Sequence, residues 1–156
     1  MTTPLRVEVT RIADYRFLID YGPDFACLLS DEPEPLGRGV GPGPQQLLMS
    51  AVANCLSASL TFALGKFKQD PGRLTATATA TTGRNNDNHI RIQSIDVVIR
   101  LDKAAKDMNH LPRVIQEFED YCTVSMSVKQ GIAIYSSVLD NTGKVLKSVT
   151  STPPSA

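Results

Sequence analysis

Pro44-Gln-Gln-Leu-Leu-Met-Ser-Ala-Val-Ala-Asn-Cys55-Leu-Ser-Ala-Ser-Leu-Thr-Phe-Ala-Leu-Gly65 is the stretch on which the reading of this chain turns. Leu47, Leu48, Ala51, Val52, Cys55, Leu56, Leu60, Ala63 and Leu64 recur in it at about the 3.6-residue period of an α-helix. Pro44 suits the first helical position, where its missing N–H would have had no partner. The remaining faces hold mainly Ser, Ala, Asn and Thr, which let neighbouring elements approach closely, so this reads as the central core helix. The span from Gly39 to Gly65 carries no charge, but Gln45, Gln46, Ser50, Asn54, Ser57, Ser59 and Thr61 interrupt it. We expect a buried helix of a soluble protein, with no membrane partner.

Upstream, Leu5, Val7 and Val9 alternate with Arg6, Glu8 and Thr10, followed by apolar runs at 15–19 and 25–29. These predict short strands joined by turns at Ala13-Asp14 and Gly22-Pro23. The segment Asp31 to Pro44 is too rich in proline and glycine for regular structure and reads as a flexible loop entering the helix. Its spaced glycines lack the strand and Lys-Ser/Thr context of a phosphate-binding loop.

Downstream, Leu74 to Thr82 alternates strictly with β-branched threonines, and Gly83 to Asn88 reads as a hairpin loop. In the partner strand, 90–101, apolar parity switches between Ile92 and Ile95, which predicts a bulge near Gln93-Ser94. A second helix is expected from near Asn109, with Pro112 in its first turn and Leu111, Val114, Ile115, Phe118 and Cys122 on one face. A short helix over 123–130, capped by a left-handed Gly131, and a last strand over 132–139 follow. Strands cluster around the helices instead of alternating with them, so the class is α+β and a parallel doubly wound sheet is disfavoured. The 156 residues suit one domain over 1–147, and the tail 148–156 is expected to be disordered.

Lys plus Arg and Asp plus Glu each number 16, so no field of one sign recruits nucleic acid. The N-terminus lacks the pattern of a secretory signal, which makes the cytoplasm the expected location. His89 and His110 stand at no metal-ligand spacing from a cysteine, and no Cys-x-x-Cys occurs; no metal and no other cofactor is expected.

The cysteines at 27, 55 and 122 are too few for a disulfide framework. Cys27, flanked by apolar residues, reads as core packing. Spacing alone makes Cys55 a small buried hydrophobe, the commonest role of a free cysteine. Cys122 lies where one helix ends and another starts, and a helix N-terminus stabilises a thiolate, which predicts a lowered pKa there. No spacing rule connects residues 67 positions apart.

Gly43-Pro44-Gln45-Gln46-Leu47 with Cys55 at its set distance resembles the Pro-Glu-x-Leu and cysteine signature of the OsmC/Ohr family. Tyr121-Cys122-Thr123-Val124-Ser125 resembles that family's Cys-Pro-Val-Ser element. The resemblance implies antiparallel sheets around two central helices, in an intertwined homodimer with thiol sites at the interface. It implies a peroxidase that reduces organic hydroperoxides: Cys55 attacks and becomes a sulfenic acid, Cys122 resolves it as a disulfide, and a dithiol or lipoyl-type reductant resets the pair. The family also uses an arginine on the thiolate and a glutamate on that arginine. Here the glutamate position is Gln45, and the cation is Arg38 or, alternatively, Arg16; Glu32 or Glu34 is a candidate replacement carboxylate. Because Gln45 cannot neutralise a guanidinium, the rival reading is a small-molecule binding protein of the same fold with little or no catalysis.

Overall fold

The structure, a computed structural model, describes residues 4–150 and the side chains of residues 4–148. The described chain falls into two compact units, one up to Leu48 and one from Met49 onward.

The first unit carries β1 (Glu8–Ala13), β2 (Arg16–Asp20) and β3 (Leu28–Ser30) in an antiparallel sheet of order β1-β2-β3. Asp14 takes a left-handed φ of 38° at the first turn, a conformation that its short polar side chain tolerates. The second turn, in which the Phe25 N–H bonds the Gly22 carbonyl, delays β3 until Leu28. Phe25, Ala26 and Cys27 therefore fall outside the strand, and Cys27 is exposed, which corrects the expected core-packing role.

The loop that follows is tied down, not flexible. Asp31 is only 1% exposed and its carboxylate accepts the N–H groups of Arg38 at 3.0 Å and Val40 at 3.2 Å. Burial works to raise its pKa. The hydrogen bonds from the Arg38, Val40 and Glu32 backbones and the charge of Arg16 outweigh burial and hold the carboxyl below its usual range. A Cβ at Gly37 would run into the Glu32 carbonyl and the Asp31 carboxylate, so the loop closes on itself only with glycine there. Gly43 then donates its N–H to Gln46 Oε1 at 2.8 Å, the reach-back half of a capping box at the start of α1 (Pro44–Lys66).

α1 ends in a Schellman arrangement. Gln69 N–H bonds the Leu64 carbonyl, Lys68 N–H bonds that of Gly65, and Lys68 occupies the left-handed position at φ 56°. Val52, Ala53, Leu56, Ser59, Leu60, Ala63 and Leu64 are its buried stripe. Ala51, Asn54, Ala58, Thr61, Phe62 and Gly65 form an uncharged exposed stripe on another face. By length and composition α1 could also cross a membrane, with a mean hydropathy of 1.7 over its most apolar window.

In the second unit β4 (Thr75–Arg84), β5 (Ile90–Arg100), β6 (Ala133–Leu139) and β7 (Val145–Thr150) form a sheet of order β4-β5-β6-β7. Thr81 faces Ser94 and Thr82 faces Ile92, so Gln93 is the extra residue of the expected bulge. Pairing sets Ala80, Ile95 and Ile134 in one row and Ala78, Val97 and Ser136 in the next, which makes this face the core side. One pair departs from the antiparallel expectation: β5 and β6 run parallel. The connection between them is long and helical, with α2 (Leu111–Glu117), a 3-10 turn (Phe118–Tyr121) and α3 (Thr123–Val128), and such a crossover returns the chain in the same direction. Gly131 does not take a left-handed φ.

β7 was not expected. Ser148 pairs with Ser137 within it, so the tail does not begin at 148; residues 151–156 lie outside the described residues. Asp140 enables the β6–β7 turn by accepting Thr142 Oγ1 at 2.6 Å and the N–H groups of Ala105, Thr142 and Lys144, which hold its pKa at about 2.

Candidate active site

Cys55 lies at the margin of the buried stripe of α1 and is half-buried, whereas Cys122 is 0% exposed. The first lies mid-helix because its neighbours keep the helical period. The second ends the 3-10 turn, where its backbone leaves helical geometry (φ −87°, ψ 95°) and it becomes the N-cap of α3. Ser125 N–H donates to Cys122 Sγ at 3.4 Å, as an N-cap residue requires. The spacing Cys122-Thr-Val-Ser125 is the sequence signal of this cap.

The two thiols, 67 positions apart in sequence, come close enough in the fold for Cys55 to act on the ionisation of Cys122. The expected lowering of the Cys122 pKa is corrected. Burial pushes this thiol up, the hydrogen bond to Cys55 and the Cys55 charge act in the same direction, and the two hydrogen bonds from Ser125 only partly offset them. Cys122 is therefore held as a protonated thiol next to Cys55, and the short α3 dipole does not overcome the loss of water.

The surroundings of the pair divide into apolar and polar sides. Phe62 meets Tyr121 edge-on with ring centroids 5.7 Å apart, and Lys66 Nζ sits 4.1 Å from the Tyr121 ring centre. These side chains pin the segment before Cys122 to the helix that carries Cys55. On the polar side, Glu119 accepts a hydrogen bond from Ser136 Oγ on β6 and has Lys147 Nζ of β7 3.5 Å away. Glu119, Ser136 and Lys147 were not singled out from sequence, because the β7 strand that brings Lys147 here was itself missed.

Arg38, Arg16 and Gln45 belong to the first unit. Arg38 is exposed and contributes its backbone N–H to Asp31. Arg16 is half-buried, its charge acts on Asp31, and its Nε is buried without a hydrogen-bond partner. Gln45 is exposed in the first turn of α1, beside the capping Gln46. Glu32 is half-buried and Glu34 exposed. Among the described residues no three His, Cys, Asp or Glu side chains gather as a metal site.

No curated protein matches the chain. Solved structures do. An OsmC-like protein of Vibrio cholerae has a TM-score of 0.74 at 12% identity, covering 88% of this chain and 100% of that one. An osmotic stress induced and detoxification response protein of Psychrobacter arcticus has 0.71 at 18%, covering 90% and 98%. An organic hydroperoxide resistance protein of Elizabethkingia anophelis has 0.70 at 15%, covering 90% and 100%. At such identities the likeness shows the fold, an α+β architecture shared with OsmC/Ohr structures. The family described as OsmC-like protein matches residues 37–137, a span that contains both cysteines. On that match and the shared fold, the chain belongs to the OsmC-like protein family.

Proposed function

We propose that this chain is a cysteine-based peroxidase for organic hydroperoxides. The observation that carries the reading is the closeness of Cys55 to Cys122, on whose ionisation it acts. A neighbouring thiol pair, one member half-buried and reachable and the other sealed and protonated, divides the labour of a two-cysteine reaction.

Cys55, as thiolate, attacks the distal oxygen of the hydroperoxide. The O–O bond breaks, the alcohol leaves with a proton, and Cys55 becomes a sulfenic acid. Cys122 then displaces the hydroxyl as water, and the sulfurs close to a bond of about 2.05 Å. A dithiol or lipoyl-type reductant restores both thiols. The thiolate needs a cation, and Arg38 with Gln45, or Arg16, is proposed for that role. The apolar stripe around Cys55 suits a lipophilic peroxide.

We also propose that two copies assemble. The uncharged exposed stripe of α1, the exposed Val9, Ile12, Leu18 and Phe25 of the first unit, and the ten-residue edge strand β4 are surfaces that a second copy covers.

Steady-state consumption of cumene hydroperoxide with dihydrolipoamide as donor tests the enzyme reading. Saturable turnover well above the uncatalysed rate is expected. Turnover no faster than the buffer control would favour the rival, a binding protein of the same fold that has Gln45 where a glutamate is usual.

A further inference from the structure

Disulfide formation requires Cys122 to lose its proton in a place that water does not reach. Cys122 is 0% exposed; the Ser125 N–H reaches its sulfur at 3.4 Å, and the Ser125 hydroxyl donates to its backbone carbonyl at 3.5 Å. Ser125 also lines a cavity of about 20 Å³ together with Glu119, Ser136, Leu56 and Met126. That volume has room for one water, and the hydroxyls and carboxylate on its wall supply the polar partners such a water needs. Glu119, on the same cavity wall, is held by Ser136 and Lys147. The Glu119 side chain is 23% exposed, so this cavity, next to the sealed sulfur through Ser125, also has a carboxylate that reaches solvent.

We propose that Glu119 is the proton acceptor for the resolving thiol, reached through Ser125 and a single water in this cavity. The inference rests on the peroxidase reading. In the resolving step the Cys122 S–H bond breaks and its proton passes by way of the water to the Glu119 carboxylate. The sulfur electron pair forms the bond to Cys55, and the S–O bond of the sulfenic acid breaks. The leaving hydroxide takes up one proton, which Glu119 returns through solvent, so one water is released. Cys122 is oxidised by one unit and Cys55 reduced by one. A carboxylate is a weak base towards a thiol, so the transfer is driven by S–O cleavage in the same event. Glu119 acts through other groups and is a positioning and proton-accepting residue. The charged groups around it are Lys147 from β7 and Lys129, the C-cap residue of α3, on the same cavity, with Asp120 next to it in the chain.

The test uses the reduced full chain mixed with one equivalent of cumene hydroperoxide from pH 5 to 9. Sulfenic acid is trapped with dimedone, and disulfide is quantified over time. In Glu119→Gln, which retains size and an acceptor for Ser136, disulfide formation should slow about 100-fold near neutral pH. Sulfenic acid formation should be unchanged, and the slowed step should regain rate with rising hydroxide. Glu119→Asp should recover most of the loss, and Ser125→Ala should slow the same step. An unaltered rate and pH profile in Glu119→Gln, or equal slowing of both steps, overturns the relay. A wild-type chain that forms no disulfide removes the peroxidase reading itself, and the relay with it.

Discussion

Cys55→Ser is expected to lower the rate of hydroperoxide reduction by at least about 1,000-fold, roughly 4 kcal/mol of barrier. The loss is large because the sulfur is the reacting atom. A serine hydroxyl is hardly ionised at neutral pH and cannot pass through a sulfenic acid, so no slower version of the same route remains. The fold should survive, because serine is nearly isosteric and residue 55 is only half-buried, among residues that already include Ser57 and Ser59. Cys27→Ser is the matching control: that thiol is exposed, outside the contact pair, and its removal should leave the rate unchanged. Parallel peroxide consumption assays and thermal melts of the two variants check the contrast. Substantial activity in Cys55→Ser would move the chemistry elsewhere.

Phe118→Ala is expected to destabilise the chain by about 3–5 kcal/mol, lowering the melting temperature by roughly 6–20 °C. Phe118 is the largest of the fully buried side chains, and it lies in the 3-10 turn that carries the chain from α2 to Cys122. Lys147 Nζ sits 4.9 Å from its ring centre, so the ring also supports the lysine that meets Glu119. Truncation removes the buried ring and leaves a cavity that a sheet and two short helices collapse into only partly. Urea unfolding followed by far-UV circular dichroism should show a lower midpoint at an unchanged slope. A loss below about 1 kcal/mol would mean that the ring does not fill a packed core.

Much of α1 and of the four-stranded sheet could be read from local pattern. The period of Leu47 to Leu64 and the place of Pro44 define α1, and the parity switch between Ile92 and Ile95 locates the bulge at Gln93. Both signals are carried by residues within one or two turns of each other. What escaped depends on distant partners. Cys27 follows apolar neighbours, yet the turn after Gly22 consumes the residues that would have formed its strand. β7 carries Lys147 on its core side, which breaks the apolar alternation expected of a strand, and the reason is a carboxylate 28 positions earlier in the chain. The parallel pairing of β5 and β6 follows from the crossover between them and leaves no mark in either strand.

The thiol site divides in the same way. Cys122 as a helix cap is visible in its spacing to Ser125, but its raised pKa is not, because burial and Cys55 are properties of the folded chain. Cys55 and Cys122 were linked from sequence only by family resemblance. In the fold the linkage rests on the Phe62–Tyr121–Lys66 contacts, which hold the end of the 3-10 turn against α1.

Peptide mapping by mass spectrometry, after the reduced protein meets one equivalent of organic hydroperoxide, addresses the redox pairing of these two sulfurs most directly. A cross-linked peptide joining Cys55 to Cys122 is expected, with Cys27 still free. Unmodified thiols, or a Cys55 oxidised to sulfinic acid beside an untouched Cys122, would contradict that pairing.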